Sequence, residues 1–119
     1  MSCELTAPPY ISLPDTFKDC TWDGFTWTVG SADGTEFAGT LTTAVLYIKD
    51  EDGNTVLTLT SATAGQVTIN VATANAWSVT VEPRTLTLDA ATYSWSLVTT
   101  DNGGIAKPRL VGTLEVKEL

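Results

Sequence analysis

From Phe25 onward, apolar and polar residues alternate with a period of two. Phe25, Trp27 and Val29 are separated by Thr26 and Thr28, and Ala44, Leu46 and Ile48 by Val45, Tyr47 and Lys49. The same beat returns at Leu57 and Leu59, at Val67, Ile69 and Val71, and at Trp77, Val79 and Val81. It continues through Leu86 and Leu88, then Tyr93, Trp95 and Leu97, and closes at Leu114 and Val116. Successive side chains on an extended backbone leave opposite faces, so this pattern predicts strands with one face in a core. Threonine fills many of the intervening positions, where its branched side chain suits a pleated surface. No segment carries a sustained apolar repeat of helical period; SATAG (Ser61 to Gly65) is too short, and ATANA (Ala72 to Ala76) allows one helical turn at most. Turn signals fall at Asp33-Gly34, Asp52-Gly53-Asn54, Gly65 and Asp101-Asn102-Gly103-Gly104. The spacing predicts an all-β chain of roughly seven to nine short strands, a sandwich or a barrel.

The stretch LDAATYSWSL, Leu88 to Leu97, narrows that choice. A tyrosine that opens a strand and bonds back to backbone a few residues upstream is a corner device of immunoglobulin-like sandwiches. Tyr93 has that position, and Asp89 is available to brace the turn. The expected fold is therefore an immunoglobulin-like antiparallel β-sandwich. Trp95 falls where such domains often carry a cysteine, two residues beyond the tyrosine. With Phe25-Trp27-Val29 as the partner strand, a large indole fills the space that a cystine would otherwise span. The inter-sheet disulfide of antibody domains is absent, and the strand from Ala44 to Lys49 lacks their buried tryptophan. Trp27, Trp77 and Trp95 all take apolar phases and are expected in the core.

Residues 1–14 differ from the rest. Pro8, Pro9 and Pro14 impose extended backbone and remove amide donors, while Tyr10, Ile11 and Leu13 between them are apolar. Two readings follow: an edge segment lying across its own domain, or an arm that docks on a neighbouring subunit. Fully extended, such an arm reaches about 45 Å. The expected division is an arm over 1–14 and a sandwich over 15–119. Pro8, Pro9, Tyr10, Ile11 and Leu13 are then candidate partner contacts. Trp22, among polar residues before the first long strand, either caps the core edge or stands out as an interface or sugar-stacking anchor. Tyr47 takes an outward phase and is the other candidate sugar platform.

At 119 residues the chain is long enough for one domain that buries most of its surface without staples. Its formal net charge of -8, from 14 acidic and 6 basic residues, repels phosphate backbones and argues against nucleic-acid partners. No apolar run has the length of a membrane span, and MSCELTAPPY lacks the basic and apolar regions of an export signal. The chain is expected to begin at Met1, stay where it is made and keep Cys3 and Cys20 as free thiols; a bond between them would contribute about 3 kcal/mol. Without histidine the commonest general base is missing, and no glycine-rich phosphate loop or G-x-S-x-G elbow is present. Catalysis and cofactors are not expected. DEDGN spaces Asp50, Asp52 and Asn54 like the start of a calcium loop, but Gly53 and Ser61 stand at the wrong places for one. A tight hairpin accounts for the same residues.

Three stretches carry a family resemblance: DTFKDCTWDGFTWTV, LTTAVLYIKDEDGNTVLTLTS, and AATYSWSLVTTDNGGIAKPRLVGTLEVK. Together they resemble small phage and prophage virion proteins, over roughly residues 15–117. Such proteins are similar to the immunoglobulin-like amino-terminal domains of phage baseplate upper proteins. The resemblance implies a non-enzymatic structural role in the virion, at tail tip, baseplate, fibre attachment or capsid surface. It implies no catalytic residues. Its recurring positions, Asp15, Thr16, Phe17, Tyr93, Gly103 or Gly104, Gly112 and Thr113, would set the fold. The implied partners are other virion proteins and copies of the chain itself, in a particle assembled in the bacterial cytoplasm. Baseplate upper proteins continue into helical parts, so a chain of one domain is expected to be an add-on module, adaptor or decoration protein. The tryptophan-rich start and Pro108, which suits an edge strand, depart from the family pattern. The alternative is a β-sandwich that binds glycans on a host surface, through Trp22 and Tyr47.

Overall fold

A computed structural model describes residues 10–13, 16–30, 40–73 and 76–118. Pro8 and Pro9, the Asp33-Gly34 turn, Cys3 and Asp15 lie outside them. The described chain is all-β. Its elements are β1 (Tyr10–Ser12), β2 (Thr16–Phe17), β3 (Thr21–Trp22), β4 (Phe25–Gly30), β5 (Leu41–Lys49), β6 (Thr55–Thr60), β7 (Val67–Ala72), β8 (Ala76–Val81), β9 (Arg84–Thr85), β10 (Ala91–Asp101) and β11 (Ala106–Lys117).

Two sheets face each other. The larger has the order β1-β11-β10-β5-β6, with β2 also paired to β11; the smaller has the order β4-β8-β7. A two-stranded ribbon, β3 with β9, sits beside them. The chain crosses between sheets after β4, after β6 and between β8 and β10, so neither sheet is a simple meander. Seven of the described strands have six or more residues. This is the immunoglobulin-like sandwich expected from the alternation and the corner.

The alternation places the core where it should lie. Ala44, Leu46 and Ile48 from β5 meet Trp77, Val79 and Val81 from β8, with Tyr93, Trp95 and Leu97 from β10 and Leu110, Leu114 and Val116 from β11, all buried. Phe25 of β4 and Trp95 of β10 pack across the two sheets with ring centroids 5.2 Å apart. An aromatic pair thus spans the gap that a cystine bridges in antibody domains. Trp95 Nε1–H also donates to the Thr113 carbonyl at 3.2 Å, which satisfies its polar edge. Trp27 is only partly buried; its ring meets Trp77 edge-on at 6.5 Å. From the opposite sheet the Arg109 guanidinium lies 4.9 Å over the Trp77 ring, and its Nε–H donates to Thr99 Oγ1 at 3.0 Å. Burial pulls the Arg109 pKa below its usual value.

Local features depart from simple alternation and simple pairing. In β7, the pairing with β8 slips between Ile69 and Val71, so Asn70 has no opposite residue. The extra residue reverses the phase, and Val71, expected in the core, is exposed. In β11, a second slip at Arg109 lets Val98 face Pro108. Pro108 therefore sits at a bulge, on a stretch of β11 beyond the part that β1 covers, where a missing amide costs no ladder bond. At the end of β6, the Thr60 N–H donates to Gln66 Oε1 at 3.0 Å, and its carbonyl accepts from the Thr63 N–H at 3.2 Å. Those groups point away from β5, so a side chain and a turn close this part of the sheet edge.

The two long hairpins share one turn design. In Asp50–Asn54, the aspartate carboxylate accepts the N–H groups of Asp52 and Asn54, at 3.0 and 2.9 Å. In Asp101–Ile105, it accepts those of Gly103 and Ile105, at 2.9 and 3.2 Å. The residue three positions on is a glycine with positive φ in both, Gly53 at 83° and Gly104 at 79°. The DEDGN spacing is explained by this turn.

The segment read as an arm joins its own domain at its far end. β1 pairs parallel with β11, Tyr10 to Val111 through Ser12 to Thr113, and the Leu13 N–H donates to the Thr113 carbonyl at 3.0 Å. Leu13 is 8% exposed and part of the core. The division at 14/15 is therefore corrected: the sandwich already includes residues 10–13.

Candidate functional site: the outer face of the large sheet

Among the described residues, no three His, Cys, Asp or Glu side chains are grouped to hold a metal ion. What stands out is a hollow on the outer side of the large sheet, about 300 Å³ in volume and open to solvent. It is lined by Tyr47, Lys49, Ser94, Ser96 and Val111, with Trp95 and Gly112 between them.

Register builds this hollow. Ser96 lies opposite Tyr47 on one side and Val111 on the other, while Ser94 lies opposite Lys49 and Thr113. Because Trp95 and Leu97 point inward, Ser94 and Ser96 must point outward. Two small residues on the middle strand thus run between larger ones on its neighbours. The flanking strands β5 and β11 stand two strand spacings apart, about 9.5 Å. The result is a trough with a serine floor, a tyrosine and a lysine along one wall and a valine on the other. Tyr47, Lys49, Ser94 and Ser96 have no side-chain hydrogen bond or ion pair among the described residues. Among the described residues no ion pair joins Lys49 to the neighbouring Asp50, whose Oδ1 accepts the amides of its own turn.

The outer face of the smaller sheet has similar residues in a different state. Thr26 Oγ1 lies 3.0 Å from Thr80 Oγ1, and Thr28 Oγ1 lies 3.1 Å from Ser78 Oγ. Asn70 Nδ2 donates to Thr80 Oγ1 at 2.8 Å, and Thr68 Oγ1 donates to Glu82 Oε1 at 2.9 Å. These hydroxyls are spent on one another.

The residues singled out from the sequence separate into groups. Tyr93 is buried and its hydroxyl donates to the Asp89 carbonyl at 2.6 Å, which is the expected corner. Burial raises the Tyr93 pKa, helped by the negative charges of Asp89 and Asp50. The Asp89 side chain does not brace the turn. Its carboxylate reaches away to the Lys18 ammonium at 2.9 Å, which lowers the Asp89 pKa and raises that of Lys18. Trp95 holds the inter-sheet position given to it. Trp22 takes the first of its two readings and caps the core edge, so only its place among the partner contacts is corrected: it is 4% exposed, set edge-on to Phe25 at 6.3 Å, and leaves no free ring face for a partner or a sugar. The reason is β3, which pairs Trp22 with Arg84 and turns the indole under the sandwich. Leu13 is likewise in the core rather than at a partner surface. Tyr10 and Ile11 lie on β1 at the sheet edge, and Pro8 and Pro9 lie outside the described residues. Cys20 carries a free, partly buried thiol. Of the sugar-platform candidates only Tyr47 lines the hollow. Ser94, Ser96 and Val111 were not singled out; their outward phases were visible, but their meeting depends on which strands pair.

These features define the class: an immunoglobulin-like β-sandwich whose large sheet presents an open hollow on its outer face. Compared with known protein families and with curated proteins, the chain matches none.

Proposed function

We propose that the chain is a non-enzymatic structural protein of a bacteriophage particle, acting by packing against other virion proteins and against its own copies. The reading rests on the family resemblance of its three sequence stretches. The observation that supports it best is the outer face of the large sheet. There Val45, Tyr47, Val98 and Val111 are only half buried, and nothing within the described residues covers them. Half-buried apolar and aromatic side chains on a broad sheet, with few charges at its centre, suit a protein-binding face. The acidic balance keeps such a protein soluble before assembly and leaves nucleic acid to other components. Any arm that reaches a neighbour is confined to residues 1–9, since Leu13 belongs to the core.

The test is mass spectrometry of purified particles made with and without the gene for this chain, together with a variant carrying Tyr47→Asp and Val98→Asp. We expect the chain in the particle at fixed stoichiometry, and loss of incorporation for the variant while its monomer stays folded. A chain absent from purified particles overturns the reading. Removal of residues 1–9 separates arm from face: retained incorporation assigns docking to the sheet.

A further inference from the structure

We propose that the hollow on the outer sheet face is a binding site for a saccharide unit that bears a carboxylate. This goes beyond a packing role: the hollow is open only on a copy whose large-sheet face is not packed against a neighbour, so it is tested on the free chain. Its basis is the contrast between the two outer faces. On the small sheet the hydroxyls of Thr26, Thr28, Ser78 and Thr80 are paired. Around the hollow, the hydroxyls of Tyr47, Ser94 and Ser96 and the ammonium of Lys49 have no partner among the described residues, although all line one space. Left open to solvent, these groups are available without breaking any internal bond.

Their chemistry selects the ligand. A pyranose ring presents an apolar face edged with hydroxyls, which suits a half-buried tyrosine beside two serines that both donate and accept. A carboxylate on that ring completes a charge-assisted bond with Lys49, the one cation lining the hollow among the described residues. Lys49 and Tyr47 are two apart on β5 and lean from the same face, so the charge and the aromatic surface are presented together. The size fits one ring or a little more, at the lower end of small-ligand pockets, which run from about 300 Å³ upward. Its shallowness implies weak binding by a single copy, so useful affinity comes from many copies engaging one polymer.

The experiment is amide chemical-shift titration of the full chain with glucuronic acid, glucose and a capped glutamate dipeptide. We expect saturable shifts with glucuronic acid at residues 47–49, 94–96 and 111–113, at least ten-fold weaker binding of glucose, and at least ten-fold weaker binding of the dipeptide. Lys49→Ala should weaken glucuronic acid ten-fold or more while leaving glucose unchanged, and Tyr47→Ala should weaken both sugars. Glucose binding equal to glucuronic acid, dipeptide binding equal to glucuronic acid, shifts scattered over the surface, or indifference to Lys49→Ala would each overturn the proposal. Because both side chains point to solvent, the variants should keep the parent spectrum elsewhere, which separates lost binding from lost fold.

Discussion

On the outer side of β4, β8 and β7 the hydroxyls of Thr26, Thr28, Ser78 and Thr80 are bonded across the strands, with Asn70 joining them. On the outer side of β5, β10 and β11, Ser94, Ser96 and Tyr47 flank a hollow and bond to none of their described neighbours. Residue types are similar; spacing is not. Where hydroxyl faces hydroxyl across a strand pair, the groups satisfy each other. Where serine faces tyrosine and valine, the short side chain reaches neither and leaves a gap. A sheet surface is thus closed or open according to register, a property that composition does not report.

This contrast predicts a graded response to mutation. The largest effect should come at Gly24, where the chain enters the small sheet. Its φ is 69°, and an added Cβ would overlap the Val81 carbonyl oxygen, so backbone rather than side chain would have to move. Gly24→Ala should cost about 3 kcal/mol or more in urea unfolding. A loss under 1 kcal/mol would mean the closed sheet is less tightly anchored than its geometry says. Next is the inner side of the large sheet. Tyr93→Phe leaves the Asp89 carbonyl unpaired and should cost roughly 1–2 kcal/mol, read from the same unfolding curves.

The faces themselves are compared by a matched pair. Ser78 is 7% exposed and partners Thr28, so Ser78→Ala should cost about 1 kcal/mol. Ser96→Ala should change stability by less than about 0.5 kcal/mol, because no bond is lost. Equal losses would erase the distinction between closed and open faces. The smallest effect belongs to the exposed pair Lys18–Asp89. The Asp89 pKa is lowered, so its contribution is present above the ordinary carboxylate range and fades as pH falls through it. The Lys18 pKa is raised, so the same pairing fades again as pH climbs beyond the ordinary ammonium range. Melting curves across pH should show only a shallow plateau between those limits, flattened further by salt, since exposed pairs contribute little.

Much of this fold was legible because it rests on short-range rules. The period of two located every long strand, and the six residues from Leu88 to Tyr93 located the corner. Trp95 was placed correctly because its phase and its distance from Tyr93 agree. Other features failed for nameable reasons. Val71 turned outward because Asn70 inserts a residue that no periodicity announces. Trp22 turned inward because β3 pairs with β9, a contact between segments far apart in the chain, Thr21 with Thr85 and Trp22 with Arg84. β1 followed the reading of residues 1–14 as an edge segment on their own domain, through a parallel pairing with β11. The hollow could not be read at all, since it exists only once β5, β10 and β11 lie side by side.

The capped end of β6 has a consequence for behaviour at high concentration. An open strand edge invites another chain to add itself, copy after copy, and crowding accelerates that process. Gln66 and Thr63 occupy the backbone groups of Thr60 that such growth would recruit. Self-association along this part of the edge is therefore frustrated, and copies brought close together are steered toward side-chain surfaces, where contacts can be chosen and can be reversed. A Gln66→Gly substitution would remove that guard, and its signature would be a concentration-dependent rise in thioflavin binding while the unperturbed chain stays clear.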